Sequence, residues 1–335
     1  MASNRQVIVQ ELPTGELTKE HFAYRDGEIP TIGDGEALGR TILMSIDAAN
    51  RAWMAGATYR EAINAGDVMH TYALLEVVES NDPSLKPGDI VSAEGGWAEY
   101  VAFKAKQALK MPDLKPLSHL MSVYGIAGKT AYHGLVGVGQ PQSGETVVVS
   151  AAAGSVGIYV GQIAKALGCR VVGIAGGAEK CSWVCSELGF DACVDYRGGG
   201  LFKDLKAACP DGIDVYFDNV GGDILETVLF QMNIKGRVVC CGAVSQYDTD
   251  SPKGPRNVPG MVVVKRLRME GFIVMDFIKE NEKATNDLGH WVAEGKVKVV
   301  DDIVEGLDNA PQALLGLLAG DNRGKRMVRV AADPQ

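Results

Sequence analysis

The first 168 of the 335 residues contain no cysteine. A catalytic zinc takes about three protein ligands from Cys, His and carboxylate. The five histidines, His21, His70, His119, His133 and His290, show no ligand spacing, so no residue is assigned to a metal. All seven cysteines fall between Cys169 and Cys241, and no pair has CxxC spacing. Cys240 and Cys241 are adjacent in an apolar run, where side chains alternate faces and bridge poorly. The seven read as reduced, buried thiols of a cytosolic protein.

Long apolar runs are missing too. No stretch approaches the ~20 apolar residues of a membrane helix, so no membrane partner is expected. Met1-Ala2-Ser3-Asn4-Arg5-Gln6 leads straight into a strand-like Val7-Ile8-Val9, without the basic and apolar regions of a secretion signal. The cytoplasm is the expected compartment. Positive charge is scarce: 33 Lys and Arg against 42 Asp and Glu give −9. An acidic protein repels a phosphate backbone at long range, so nucleic acid is not an expected partner. The short clusters Lys265-Arg266-Leu267-Arg268 and Arg323-Gly324-Lys325-Arg326 read as solvated strand and loop positions.

What is plentiful is glycine, 41 of 335 residues, against a usual ~7%. Tight turns or backbone packed against a ligand account for such an excess. The length favours two domains. Up to about residue 120 the chain carries short β-like runs: Thr41–Ile46, Ala73–Val78, Ile90–Ser92 after the turn Lys86-Pro87-Gly88-Asp89, and Trp97–Ala102. This pattern predicts an all-β module of the barrel type.

Beyond residue 120 the pattern changes. Thr146–Ser150 is a wholly apolar run, as in a parallel sheet covered on both faces. Helical stretches over Val156–Leu167 and Ala178–Leu188 alternate with runs at Cys169–Ala175, Ala192–Tyr196, Val215–Asp218, Arg237–Cys241 and Met269–Val274. Such alternation predicts βαβ units and a doubly wound parallel sheet. A helix over Ala310–Ala319 and a strand over Met327–Val330 end the chain.

The segment Val149-Ser150-Ala151-Ala152-Ala153-Gly154-Ser155-Val156-Gly157 joins the first strand of this run to its helix. Small residues there let the backbone approach a pyrophosphate, and the helix N-terminus offers free N–H groups. It departs from GxGxxG in having Ala152 at the first glycine position. The next strand ends Ile174-Ala175-Gly176-Gly177, without the carboxylate that binds the ribose 2′-hydroxyl of NAD. Lys180 follows within a turn, and Tyr196 ends the third strand. Each alone reads equally as a solvated lysine or a capping aromatic. Together with the paired glycines they point to NADPH, whose 2′-phosphate a lysine attracts.

Taken together, Ala152–Gly157, Gly161-Gln162-Ile163-Ala164-Lys165 and Phe217-Asp218-Asn219-Val220-Gly221-Gly222 resemble the zinc-independent medium-chain dehydrogenase/reductases. The match is closer to the leukotriene B4 12-hydroxydehydrogenase/prostaglandin reductase branch, which includes curcumin reductase and plant double-bond reductases. Cys241–Tyr247, Arg268–Phe272 and Gly320–Lys325 extend the likeness, which runs from about residue 85 to the end. The resemblance implies an α/β chain with a GroES-like β-barrel domain plus a Rossmann doubly wound parallel sheet domain. The GroES-like substrate domain would span 1–122, completed by about 295–335, and the Rossmann NADPH-binding domain 123–294. A homodimer is also implied. Ala153, Gly154, Ser155, Val156 and Gly157 would hold the pyrophosphate, and Lys180 and Tyr196 the 2′-phosphate. Asn219, the loop Cys241-Gly242-Ala243-Val244-Ser245-Gln246-Tyr247, then Phe272, Ile273, Val274 and Asn322 would line the nicotinamide end.

The substrate half departs from that family. Where relatives read Asp-Pro-Tyr-Met-Arg, this chain reads Asp47-Ala48-Ala49-Asn50-Arg51, and a second family tyrosine is replaced by Val264. A Gly-rich stretch is replaced by Val68-Met69-His70-Thr71-Tyr72. Asn50, Arg51, His70 and Tyr72 are the candidate pocket residues, and Tyr247 and Tyr72 the candidate proton or hydrogen-bond donors, with Tyr59 and Tyr124 behind them. The implied activity is NADPH-dependent reduction of the C=C bond of an enone or enal, with hydride to the β-carbon and a proton to the α-carbon. A quinone oxidoreductase of the zeta-crystallin type, or a silent NADPH-binding protein, are the alternatives. Loss of the two tyrosines keeps the last one open.

Overall fold

The computed structural model describes residues 3–58 and 60–334. The chain divides into two compact units, one of Met1–Met121, Asp301–Asp321 and Arg326–Gln335, the other of Ser122–Val300 and Asn322–Lys325. Among the described residues no helix is long and apolar enough to cross a membrane.

The first unit is β-rich. It holds β1 (Ser3–Val9), β2 (Phe22–Glu28), β3 (Glu36–Ser45), helix α1 (Ala48–Ala55), β4 (His70–Ser80), β5 (Ile90–Gly96), β6 (Tyr100–Lys104) and β7 (Leu109–Lys110). β3 pairs antiparallel with both β4 and β6, and β4 with β5. Alternation on these strands sends Ala73, Leu75 and Val77 into one core with Met44, Trp53 and Trp97. Strand pairing reaches Trp97 differently from the sequence pattern. β6 begins only at Tyr100, while Trp97 sits in a bend where its N–H donates to Met69 O (2.7 Å) and its carbonyl accepts from Val7 N (2.8 Å). Its indole is fully buried and stacks on Phe22 at 5.5 Å.

The second unit alternates strand and helix. In order come α2 (Ile126–Tyr132), β8 (Thr146–Ser150), α3 (Gly157–Ala166), β9 (Arg170–Ala175), α4 (Ala178–Leu188) and β10 (Ala192–Asp195). Then follow α5 (Leu201–Ala208), β11 (Ile213–Asp218), α6 (Gly222–Gln231), β12 (Met232–Cys240), α7 (Val258–Lys265), β13 (Arg268–Gly271) and α8 (Asn281–Ala293). The six strands run in the order β10-β9-β8-β11-β12-β13 with parallel pairing throughout. This is the Rossmann order, with its reversal between β8 and β11. Every residue of β8 is buried, as its apolar run requires. The chain then returns to the first unit through β14 (Asp301–Glu305), α9 (Ala310–Leu318) and β15 (Lys325–Arg329), which pairs with β3.

One expected strand is shorter than its pattern. Met269–Val274 leaves the sheet at Gly271 because the Asp276 carboxylate accepts from Ile273 N–H (3.1 Å) and starts a 3-10 turn, Val274–Glu280. The cysteines are all free, but only Cys169, Cys181 and Cys209 are buried, while the other four are half-buried.

Candidate dinucleotide site

The turn from β8 into α3 is built on close backbone contact. Ala151 adopts a left-handed conformation (φ 50°), and Gly154 N–H closes the turn on Ala151 O at 2.8 Å. A Cβ on Gly157 would lie 2.2 Å from that same oxygen, so only glycine fits. Ala152 replaces the usual first glycine because its opposite number yields: a Cβ on Gly173 of β9 would meet the Ala152 Cβ at 2.8 Å. Ala153 O accepts from Gly324 N (2.9 Å), and Ser155 Oγ donates to Gly324 O (3.4 Å). Val156 is the N-cap of α3. The five residues expected to hold the pyrophosphate therefore converge at the N-terminus of a ten-residue helix, where the unpaired N–H groups and dipole favour an anion.

At the end of β9, Gly177 (φ 94°) donates its N–H to Asp195 Oδ1 at 2.8 Å, and the same oxygen caps Arg197 N at 2.9 Å. That acid is committed to backbone. Lys180 Nζ donates to Asn322 O at 2.6 Å, and Asn322, buried, anchors itself through Nδ2 to Gly324 O at 2.9 Å. Tyr196 opens a 3-10 turn rather than ending the strand, and Arg197 lies 5.7 Å from its ring centroid. A Cβ on Gly176 would come within 2.9 Å of Arg197 Nε and 3.1 Å of the Tyr196 hydroxyl. Gly176 thus faces a cradle of one phenol and one guanidinium, with Lys180 one turn on. This donor set suits a doubly charged phosphate. Sequence reading missed Arg197, although its place directly after the third strand was a usable signal.

At the reversal of strand order, Asn219 Nδ2 donates to Ser150 O (2.8 Å) and Asn219 N to Ser150 Oγ (3.0 Å). Asp218 beside it is buried and accepts from the Tyr216 hydroxyl (2.8 Å), Val220 N (3.0 Å) and Gly221 N (2.8 Å). Burial raises its carboxyl above the ordinary value despite these donors. The Cys241–Tyr247 loop is tied to this corner. Cys241 N and Gly242 N donate to Asp218 O, Val244 N to Asn219 O, and Ser245 N and Oγ to Val220 O. Gln246 N donates to Ala243 O (2.8 Å). The Tyr247 hydroxyl accepts from Ala243 N at 3.0 Å. A cavity of about 460 Å³ opens here, lined by Asp218, Cys241, Gly242, Ala243, Gln246 and Tyr247 among others. Burial pushes the Cys240 thiol up to about 11 and the Cys241 thiol to about 12. Phe272 packs edge-on to Phe217 (6.3 Å), and its ring rests where a Cβ on Gly134 would be, 2.4 Å away. Ile273 is exposed and Val274 half-buried.

Two family models match, an N-terminal domain of oxidoreductase over residues 5–111 and a zinc-binding dehydrogenase domain over residues 155–290. The NADPH-dependent curcumin reductase of Escherichia coli is 41% identical over 98% of both chains. The 2-alkenal reductase (NADP(+)-dependent) of Nicotiana tabacum is 39% identical over 99% of this chain and 98% of its own. A crystal structure of CurA from Vibrio vulnificus in complex with NADPH superposes with TM-score 0.93 at 38% identity, covering 98% of this chain and all of that one. The chain belongs to the zinc-independent medium-chain dehydrogenase/reductases, in the branch of these reductases. Among the described residues of this family member, no group of three or more His, Cys, Asp or Glu could hold a metal ion.

The family departures read from the sequence fall in both units. Ala49 packs against the first unit's core, and Val264, in the second unit, is exposed on α7. Asn50 is buried, with Oδ1 accepting from Asp47 N (2.8 Å) and Nδ2 donating to His70 O (2.9 Å). Arg51 is buried and donates from Nη2 to Gly15 O (2.7 Å). Both side chains thus fix backbone around α1. His70 and Tyr72, two residues apart on β4, share a face and are half-buried. Tyr124 lies in the second unit and is half-buried, and Tyr59 lies outside the described residues.

Proposed function

We propose that this chain is an NADPH-dependent ene-reductase acting on α,β-unsaturated ketones or aldehydes. One observation carries the reading: Gly176, Lys180, Tyr196 and Arg197 surround the end of β9, where an NAD enzyme carries a carboxylate. It does so in a chain 41% identical along nearly its whole length to a reductase described as NADPH-dependent. The second unit is the NADPH-binding unit and the first the substrate unit.

When bound, NADPH supplies a hydride for the β-carbon of the substrate. The chain's part is orientation and charge stabilisation. Ala153 to Gly157 hold the pyrophosphate, and Lys180, Tyr196 and Arg197 the 2′-phosphate. Asn219, the Cys241–Tyr247 loop and Phe272 to Val274 would flank the nicotinamide end, whereas Asn322, expected there, holds Lys180 Nζ and belongs to the phosphate end. Negative charge developing on the substrate carbonyl oxygen needs one or two aimed donors. Tyr247 accepts from Ala243 N, which leaves its own proton to donate. Burial, then the Glu94 charge, raises the Tyr72 phenol, so it stays protonated at neutral pH and serves as a donor. His70 and Tyr72 face the substrate, with Asn50 bracing the backbone at His70. A cytoplasmic homodimer completes the reading, and β13, last in its sheet order, offers an edge for the second copy.

The test is anaerobic incubation with NADPH deuterated at the transferred position and a panel of enones, enals and quinones, followed by mass spectrometry. A saturated carbonyl carrying deuterium at the β-carbon is expected. Hydroquinone as the sole product would move the assignment to quinone reduction. Saturable NADPH binding with no product across the panel would overturn it.

A further inference from the structure

Within the second unit a chain of four packed rings runs from the end of α2 to β11. At its start α2 widens into a π-helical turn, His133–Gly139, where Gln140 N–H donates to Leu135 O five residues back (2.7 Å). Such turns are rare and concentrate at functional sites. Here two of its glycines make room for rings. Phe272 rests where a Cβ on Gly134 would be, and Phe277 Cε1 lies 3.5 Å from the Cβ position of Gly137. His133 opens the turn and is 2% exposed. Its imidazole lies flat on the Phe277 ring, with centroids 4.9 Å apart and planes 8° from parallel. Phe277 meets Phe272 edge-on at 6.1 Å, and Phe272 meets Phe217 in the same way.

The imidazole also reaches across a break in the backbone. Phe277 interrupts the turn Val274–Glu280 with non-helical angles (φ −110°, ψ 22°). His133 Nε2 lies 3.0 Å from Oδ1 of Asn281, the first residue of α8, and in its Nε2–H tautomer donates to it. One side chain therefore holds the ring at the break by stacking and the helix beyond it by a hydrogen bond. Tyr132 meets the imidazole edge-on at 5.4 Å and limits its rotation. The segment held in this way begins at Phe272-Ile273-Val274. Ile273 and Ile278 are exposed at 37% and 65%, so its anchorage falls to Phe272 and Phe277. Phenylalanine at position 133 would stack in the same place without a donor for Asn281, and leucine would fill the volume without stacking.

We propose that His133 is a positioning residue for hydride transfer: through Phe277 it sets where Phe272 to Val274 stand against the nicotinamide. This rests on the ene-reductase reading, in which those three residues flank that ring. The test compares His133→Leu, Phe277→Leu, their double variant and His133→Phe, with Leu229→Ala as a control in the other core of the second unit. The readouts are NADPH Kd by titration, kcat and KM with an enone, and the melting temperature. In His133→Leu, kcat should fall about tenfold or more, since a misplacement of about 1 Å costs up to roughly a hundredfold. The NADPH Kd, dominated by the phosphates, should stay within about twofold. Phe277→Leu should cost a similar factor, and the double variant no more than either single, because both act through one stack. His133→Phe restores the stack and should recover most of the loss. Leu229→Ala should lower the melting temperature and leave kcat within about twofold. A kcat within about twofold of wild type in folded His133→Leu, or a double-variant loss equal to the product of the single losses, overturns the proposal. Should His133→Leu not fold, Phe277→Leu at its half-buried site decides by the same kcat criterion. If the wild type reduces no enone or enal, the ene-reductase reading fails instead, and the fluorescence lifetime of bound NADPH, which reports nicotinamide mobility, decides the positioning. A lifetime shortened in Phe277→Leu supports it, and an unchanged one refutes it.

Discussion

Replacing Arg197 with Met tests the 2′-phosphate cradle most directly, because it removes the charge and keeps the alkyl stem over Tyr196. The guanidinium sits 5.7 Å from that ring, and its Nε borders the space beside Gly176. A hydrogen bond to a charged group contributes ~1.5–3 kcal/mol. Tyr196 is 41% exposed, so the site is partly solvated and the low end applies. About 1.5 kcal/mol corresponds to a roughly tenfold weaker NADPH Kd. Lys180→Met should cost a similar factor, since Asn322 O holds its ammonium one turn beyond Gly176. In the proposed cradle both side chains serve one phosphate, so the double variant should fall short of the product of the two factors. NADH has no 2′-phosphate, and its Kd should stay within about twofold in each variant. The assay is fluorescence titration with NADPH and with NADH, repeated in high salt, where screening should shrink the wild-type advantage. Equal weakening of both cofactors in Arg197→Met would refute the cradle, because the substitution would then act on the fold.

Four further outcomes follow from single contacts. Gly157→Ala places a Cβ 2.2 Å from the Ala151 carbonyl, so NADPH titration should show binding lost and the melting temperature should drop. Gly161→Ala meets Phe190 Cζ at 1.8 Å. It should cost ~1–3 kcal/mol in denaturant unfolding, and combining it with Phe190→Leu should cost less than the sum. For Glu145, burial acts upward, but hydrogen bonds from Arg237 and Gln142 win and leave its pKa below the ordinary 4.5. A depressed carboxyl stabilises the fold above its unfolded value, so stability should be lost as pH falls below about 4.5 and this part of the loss should vanish in Glu145→Gln. The Cys241 thiol, near 12, is protonated at neutral pH; its iodoacetamide labelling should be slow, rise about tenfold per pH unit between 7 and 9, and slow further with NADP⁺ bound.

The parts of this molecule legible in its sequence are those fixed by neighbours along the chain. Thr146–Ser150 is buried at every position because both sheet faces are covered, and its Val147-Val148-Val149 run is visible without the fold. The alternation after residue 120 gives the parallel sheet for the same reason. Illegible features depend on partners far away in sequence. Ala152 is tolerated where glycine is usual because Gly173, on the next strand, has no side chain. Asn50 and Arg51 read in sequence as candidate pocket residues, yet their ends meet His70 O and Gly15 O, which no local pattern announces. Arg197 was hidden by a one-residue error in a boundary: β10 stops at Asp195, and the 3-10 turn that follows swings the next two side chains together toward Gly176. Glu94 and Tyr72 are 22 positions apart and meet only through the β4–β5 register. In this chain local pattern determines which elements form, whereas the chemistry at each pocket is determined by which residues the sheet registers bring opposite one another. A substitution that shifts the β4–β5 register by one residue would leave the barrel strands recognisable in sequence and still separate Glu94 from Tyr72.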